Sequence, residues 1–235
     1  MKRQSCPFLL LPGLLCTTEL YSPQLPLLWK YGPVMVANHA KANDMQAVAK
    51  QILEAAPPQF IQIGLSMGGY LALEILRQAP DRVLGAVFMD TSARPDTPQS
   101  SAGRKENIAK AQQGGFDEVF DEMFPKLVTP EHTKDAHIAE VCKRMARDVG
   151  VEGFTNQQQA IISRLDSRPL LGRIKCSSLV VVGEHDKLIP YEHSKEIADG
   201  ISGAQLAQIS QSAHLPTIEN PAQVNATLKE WLDKL

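Results

Sequence analysis

One short stretch in the first third of the chain restricts the fold most strongly, because it joins a strand to a helix through a glycine-flanked serine. The run Phe60–Ile63 is largely apolar and β-branched, which is typical of a strand covered on both faces. The run that begins at Tyr70 has helix-forming residues at helical spacing. Between them, Gly64 and Gly68 flank Ser66, and glycine tolerates the sharp turn that this junction requires. The pattern predicts that Ser66 lies exposed where a buried strand ends, a position that suits a nucleophile.

Strand-like and helix-like stretches alternate along the chain, which is the pattern of a parallel sheet with helices on both faces. The predicted strands lie at 7–12, 33–38, 59–65, 84–90, 178–183 and 204–209. The predicted helices lie at 22–30, 44–55, 67–79, 192–200 and 221–234. We therefore expect an α/β fold with a mostly parallel sheet of about six strands.

One interval is too long for this alternation. Roughly 85 residues separate Ser92 from the strand that begins near Leu179, far more than one crossover helix needs. We expect an inserted helical cap at 93–169 and a core formed by 1–92 and 170–235. Within the insertion, an apolar stripe at helical spacing either packs the insertion onto the core or lines a substrate pocket. The stripe consists of Phe116, Val119, Phe120, Met123, Phe124 and Leu127.

The composition is that of an ordinary globular protein, with 43% hydrophobic and 21% charged residues among 235. A net charge of −2 gives no basic footprint for nucleic acid or an anionic membrane surface. The apolar run at 8–11 is too short for a signal peptide or a membrane span. Four scattered cysteines without metal-ligand spacing indicate reduced thiols. We expect a cytoplasmic protein that acts on a small molecule, with no nucleic acid, membrane, metal or organic cofactor; its oligomeric state is open.

A serine hydroxyl needs a general base, and a carboxylate that orients this base, to act as a nucleophile at neutral pH. Of the six histidines, only His214 lies between the last predicted strand and the final helix, so it is the candidate base. Asp186 follows the strand that ends at Gly183 and is the candidate orienting acid. Asp90, at the end of the preceding strand, is the alternative. The chain order serine, aspartate, histidine favours Asp186.

The negative charge that develops on a substrate oxygen during acyl transfer needs two preorganised N–H donors. The N–H of Met67, directly after Ser66 at a helix start, is one candidate. The N–H of Leu14, in the loop after the first strand, is the other, because Gly13 permits the backbone to turn inward. A simple strand-ending turn is the alternative interpretation of this loop.

Four motifs follow one another in the order of a known superfamily. They are Pro-Gly-Leu-Leu at 12–15, Gly-Leu-Ser-Met-Gly-Gly at 64–69, Gly-Glu-His-Asp at 183–186 and Ser-Ala-His-Leu-Pro at 212–216. With them, the chain resembles the α/β-hydrolase superfamily over nearly its whole length apart from the insertion. It looks most like the small esterases, enol-lactonases, carbon–carbon bond hydrolases and cofactor-free haloperoxidase-like members. The resemblance implies Ser66 as nucleophile, His214 as base, Asp186 as orienting acid and a lid from the segment after Asp90.

Two departures from the family pattern bear on the site and the sheet. The family often has His-Gly where this chain has Pro12-Gly13, which removes a side chain that can organise the oxyanion loop. Only about seven residues precede the first strand, so the first two strands of the full fold are missing. We therefore expect a trimmed sheet of about six parallel strands.

The expected activity is hydrolysis of a small carboxylic ester or lactone through an acyl-enzyme on Ser66. A carbon–carbon bond hydrolase or lyase with the same triad, and a non-catalytic ligand receptor of the same fold, are the alternatives. Arg164, Asp166 and Arg168 either bind an anionic substrate or tie the insertion to the core through ion pairs. The expected substrate pocket is lined by Leu15, His39, Phe120, Phe124, Leu188 and Leu215.

Overall fold

The fold is built on one six-stranded sheet, in a computed structural model that describes residues 6–235. The strands are β1 (Phe8–Leu11), β2 (Val34–Val36), β3 (Phe60–Leu65), β4 (Val83–Met89), β5 (Ser177–Gly183) and β6 (Gln205–Ile209). Their order is β2-β1-β3-β4-β5-β6, and every neighbouring pair is parallel. The predicted α/β fold with a parallel sheet of six strands is confirmed. The first five residues of the predicted core lie outside the described residues.

Ten α-helices connect and flank the strands in the described part of the chain. They are α1 (Leu25–Leu28), α2 (Met45–Ala55), α3 (Met67–Gln78), α4 (Pro98–Lys110), α5 (Phe116–Leu127), α6 (Ala136–Ser163), α7 (Arg168–Leu171), α8 (Tyr191–Gly200), α9 (Pro216–Glu219) and α10 (Pro221–Leu232). The helix expected at 22–30 is shorter than predicted, because Pro26 has no N–H and is tolerated only in the first turn.

Side chains of the central strands alternate between two apolar layers, one on each face of the sheet. Leu10 of β1 belongs to the layer that contains Phe120 of α5 and Trp231 of α10. Leu11, its neighbour, belongs to the layer that contains Leu71 of α3. Because both faces are covered, polar functional groups are left to the strand ends and their loops.

The segment between β4 and β5 is helical, and Arg164 near its end packs on a core helix. Helix α5 carries the apolar stripe, and α6 is kinked at Gly150, whose φ is +66°. Arg164 pairs with Asp96 at 2.8 Å, and its guanidinium lies 4.4 Å above the ring of Tyr70 in α3. Arg168 pairs with Asp166 at 2.6 Å. Both ion pairs lie within the segment itself, so it is the contact with Tyr70 that favours the interpretation of Arg164 as a tether. No helix within residues 6–235 combines the length and apolar character that crossing a membrane requires.

Candidate active site

The turn between β3 and α3 brings backbones so close together that only glycine fits beside Ser66. A Cβ on Gly64 would lie 2.2 Å from the carbonyl oxygen of Gly68. A Cβ on Gly68 would lie 1.8 Å from the carbonyl oxygen of Leu11 in β1. Real Cβ atoms do not make such contacts, so both glycines are required for this turn. The sequence pattern therefore marked a genuine steric constraint.

Ser66 itself has a strained backbone, which its neighbours hold in place. Its φ of 55° and ψ of −113° are rarely adopted by a residue with a Cβ. Its N–H donates to Met89 in β4 at 2.9 Å, and its carbonyl accepts the hydroxyl of Thr91 at 2.8 Å. Gly69 makes room for Thr91, because a Cβ there would lie 2.3 Å from that hydroxyl oxygen. Ser66 stays partly exposed between buried neighbours.

Asp186 and His214, predicted from two separate strand ends, form a buried pair. Asp186 Oδ2 lies 2.8 Å from His214 Nδ1, and the two side chains are 0% and 2% exposed. Asp186 Oδ1 accepts the N–H groups of Leu188 and Ile189 at 2.8 and 3.1 Å. Burial acts to raise the pKa of Asp186, but the charge and hydrogen bond of His214 and the two N–H donors hold it below its usual value.

The ionised state of Asp186 determines the tautomer of its partner. A carboxylate can only accept a hydrogen bond, so Nδ1 of His214 carries the proton in this pair. Nε2 is then the basic nitrogen of the neutral ring. This assignment gives His214 the protonation that a general base needs.

Glu219, which no sequence motif singled out, holds the loop that carries His214 through hydrogen bonds. Its Oε1 accepts the N–H groups of Ala213 and Leu215 at 2.9 and 3.2 Å. Its Oε2 accepts the N–H of Thr129 at 2.8 Å and lies 2.9 Å from Nδ1 of His132. The only hint in the sequence is an acidic residue five positions after His214. One carboxylate thus joins the histidine loop to the segment after α5.

Two buried side chains brace the loop after β1, where an oxyanion donor was predicted. Nε2 of His39 lies 3.1 Å from the carbonyl oxygen of Gly13, and the N–H of Leu15 donates to Gln157 Oε1 in α6 at 3.0 Å. Burial lowers the pKa of His39 to about 4, although its hydrogen bond to Gly13 opposes this, so the ring is neutral at pH 7. No pattern in the sequence indicates that Gln157 contacts this loop.

The two N–H groups predicted for the oxyanion hole are both unpaired in the described part of the chain. Neither the N–H of Leu14 nor that of Met67 pairs with an acceptor within residues 6–235. Met67 is the first residue of α3, and the first N–H groups of a helix have no partner within it. Both groups are therefore free to bind a substrate oxygen.

The residues expected to line the pocket fall into three environments. Four of them share one apolar cluster, His39 is buried against Gly13, and one lies on an exposed loop. The four are Leu15, Phe120, Phe124 and Leu215. The exposed one is Leu188, which borders a cavity of about 460 Å³ together with Val128 and Ala213. The structure therefore groups four of the six residues and sets Leu188 apart.

A metal ion is the other ligand that this cluster of side chains suggests. One atom each of Asp90, Asp186 and His214 lies within 4.8 Å of the others. However, His214 Nδ1 and Asp186 Oδ2 are at hydrogen-bonding distance, and Asp186 Oδ1 is occupied by two N–H donors. These contacts fit a hydrogen-bonded acid–base pair better than a cation site.

Comparisons with known proteins show the family of the chain. The family model described as alpha/beta hydrolase fold matches residues 37–221. A pimeloyl-[acyl-carrier protein] methyl ester esterase of Neisseria meningitidis serogroup C is 24% identical over 224 residues, 90% of this chain and 86% of that protein. The structure of a thermophilic esterase from Thermogutta terrifontis matches at 28% identity with a TM-score of 0.87, covering 97% of this chain and 90% of that chain. An enol-lactonase from Burkholderia xenovorans LB400 has the same fold, with a TM-score of 0.89, 22% identity and coverage of 98% and 92%.

The chain therefore belongs to the α/β hydrolase fold family, as the four sequence motifs suggested. It is an enzyme of this family, an α/β-hydrolase.

Proposed function

We propose that the protein is a serine hydrolase that cleaves a small carboxylic ester or lactone through an acyl-enzyme on Ser66. The observation that carries the proposal is the buried hydrogen bond of 2.8 Å between Asp186 and His214. It lies at the carboxyl ends of β5 and β6, in a sheet whose strand β3 ends at the strained Ser66. His214 with its proton on Nδ1 can act as a base through Nε2, and Ser66 lies at the same edge of the sheet. This arrangement suits acyl transfer.

The proposed reaction uses each group in turn. Ser66 Oγ attacks the substrate carbonyl while Nε2 of His214 takes the hydroxyl proton, and the oxyanion accepts hydrogen bonds from the N–H groups of Leu14 and Met67. Collapse of the tetrahedral intermediate breaks the ester bond, and the imidazolium returns its proton to the leaving oxygen. Water, deprotonated by His214, then hydrolyses the acyl-enzyme and restores Ser66. Asp186 stays ionised throughout and stabilises the imidazolium.

The surroundings of the site support a small, uncharged substrate. Phe120, Phe124 and Leu215 belong to an apolar cluster and carry no charge that would bind an ionic group. The relatives named above include two esterases and an enol-lactonase. We further propose a cytoplasmic location, since the four cysteines are free thiols.

Hydrolysis of p-nitrophenyl acetate and butyrate by wild type and Ser66→Ala tests the proposal. We expect Ser66→Ala to lose roughly 10³-fold or more in kcat, since removal of a triad member leaves only the oxyanion hole and binding. A fluorophosphonate should label wild type and not Ser66→Ala. Ser194→Ala, a fully buried serine in α8, is the matched control and should keep both activity and labelling.

The other outcomes separate the alternatives. Labelling of Ser66 without turnover of any ester or lactone would favour a carbon–carbon bond hydrolase or lyase. A chain that takes no label, with ligand binding unchanged in Ser66→Ala, would favour a receptor. Either result would contradict the proposed ester hydrolysis.

A further inference from the structure

Asp90 is a buried carboxyl group beside the Asp186–His214 pair, and the reaction proposed above does not use it. It follows β4, is 0% exposed and has a φ of +45°, which strains a residue with a Cβ. Its Oδ1 accepts the N–H of Gly183 at 2.7 Å. Its Oδ2 is buried and has no hydrogen-bond donor among the described residues. A buried carboxylate oxygen that has no hydrogen-bond donor is energetically unfavourable. Protonation of the carboxyl group at Oδ2 removes this cost.

The neighbours of Asp90 determine which protonation state is stable. The ionisable groups that face it are Asp186 from the loop after β5, His214 from the loop after β6, and Glu219 from α9. Two buried carboxyl groups with atoms within 4.8 Å of each other disfavour a state in which both are ionised, so one of them holds a proton. Asp186 is ionised, because His214 and two backbone N–H groups stabilise its charge. The proton therefore belongs to Asp90.

The electrostatics of Asp90 agree with this division. Burial raises the pKa of Asp90 well above its usual range, and the charge of Asp186 acts in the same direction. The N–H of Gly183 opposes these effects, while the side chain of Asp186 and the charge of Glu219 raise the pKa further. One oxygen of Asp90 lies within 4.8 Å of one oxygen of Asp186, and Oδ2 of Asp90 is buried without a donor among the described residues.

We propose that Asp90 is a positioning residue that stays protonated and donates a hydrogen bond from Oδ2 to Asp186, holding that carboxylate against Nδ1–H of His214. Its strained backbone fits this role, because strain is retained where the surrounding structure needs one particular geometry. The Asp90 N–H also donates to Val181 of β5 at 3.0 Å, so the residue fixes the strand from which Asp186 follows. The inference rests on the proposed function, in which His214 is the base.

Two substitutions separate the hydrogen bond from the carboxyl group. In Asp90→Asn, the amide N–H donates to Asp186 and the amide oxygen accepts from Gly183, as the protonated acid does. We expect kcat to stay within about threefold of wild type. In Asp90→Leu the donor is lost, and we expect kcat to fall roughly 10- to 100-fold with little change in KM. Glu74→Leu, a buried carboxyl in α3 away from His214, is the matched control and should keep wild-type kcat.

The pH profile of Asp90→Asn keeps the test valid even if Asp90→Leu does not fold. The acidic limb of kcat/KM reports protonation of His214 in the free enzyme. A neutral Asp90 predicts that the limb of Asp90→Asn coincides with that of wild type. If Asp90 is instead ionised, its removal takes a negative charge from beside His214 and lowers the pKa of the imidazole. The limb would then move to lower pH by about one unit, and this would overturn the inference.

Infrared difference spectra give a readout that does not depend on activity. Wild type minus Asp90→Asn should contain the carbonyl stretching band of a protonated carboxylic acid at pH 7. A carboxylate band in its place would also overturn the inference. If a fluorophosphonate labels Ser66 and either of these contrary results appears, only the role of Asp90 fails. If Ser66 takes no label, the proposed function fails, and the infrared band still tests whether Asp90 is protonated.

Discussion

At the scale of single residues, His39 makes the stability of the protein depend on pH. Its ring is buried and its pKa lies at about 4, whereas a histidine in an unfolded chain titrates near 6.5. Between these two values the unfolded chain binds a proton that the folded chain does not. Stability is therefore fully present above about pH 6.5 and is lost as the pH falls toward 4, by roughly 3 kcal/mol.

The substitution His39→Gln should remove this contribution. Its amide N–H can still donate to Gly13, but it does not titrate. We expect the free energy of unfolding in urea to fall less between pH 7 and pH 4.5 in His39→Gln than in wild type. His137→Gln, on the exposed face of α6, should keep the wild-type dependence. Equal pH dependence in wild type and His39→Gln would show that His39 titrates normally.

The sequence could place single candidate residues only where the fold forces their position. His214 and Asp186 were found because each follows a recognisable buried strand, and parallel strands bring such loops to one edge. The sequence leaves Asp186 and Asp90 as alternative partners of His214. In the structure, both carboxyl groups lie close to His214. Burial and protonation of a side chain depend on neighbours far along the chain, and no spacing rule contains them.

At the scale of elements, α6 supports the loop after β1 through Gln157. This side chain is 0% exposed, and its Oε1 accepts the N–H of Leu15, beside Leu14. The substitution Gln157→Met keeps the approximate length of the side chain and removes the oxygen that accepts the N–H of Leu15. We expect the free energy of unfolding to fall by about 1–3 kcal/mol and kcat to fall roughly tenfold, because the proposed oxyanion donor, the N–H of Leu14, is no longer held in place.

The adjacent residue provides a close control for this substitution. Gln158 is equally buried, but its Oε1 accepts Nη1 of Arg104 at 2.7 Å instead of the loop. Gln158→Met should lower stability and leave kcat unchanged. Urea unfolding and ester hydrolysis on both variants make the comparison. Equal effects of the two substitutions on kcat would mean that Gln157 stabilises the fold without positioning the loop.

The strands were predictable as elements, and the helices between β4 and β5 were only partly so. The β-branched run of β5, for example, predicts a buried strand, because its side chains face the apolar layers on both sides of the sheet. Helix α6 continues for 28 residues through Gly150, whose φ of +66° breaks the helical geometry. Glycine permits such a kink, but a single glycine in the sequence does not show whether a helix bends or ends there. The role of the loop after β1 likewise depends on a side chain 142 residues away.

At the scale of the whole molecule, the segment between β4 and β5 meets the core at the histidine loop. The N–H of His214 donates to the carbonyl oxygen of Leu127, the last residue of α5, at 3.1 Å. Glu219 completes the connection, since its carboxylate binds donors on both sides with its side chain wholly shielded from water. The position of His214, the proposed base, therefore depends on how the helical segment packs on the sheet.

The substitution Glu219→Gln tests this dependence. An amide has one acceptor oxygen, so its NH₂ group would face N–H donors that now bind a carboxylate. Because buried hydrogen bonds to a charged group are lost, we expect the free energy of unfolding to fall by about 2–3 kcal/mol. We also expect kcat for p-nitrophenyl butyrate to fall, because the backbone on both sides of His214 is released. Glu230→Gln, which breaks an exposed i,i+4 ion pair in α10, should change neither quantity measurably. A Glu219→Gln variant that unfolds at lower urea concentration but keeps wild-type kcat would show that the helical segment stabilises the core without positioning its base.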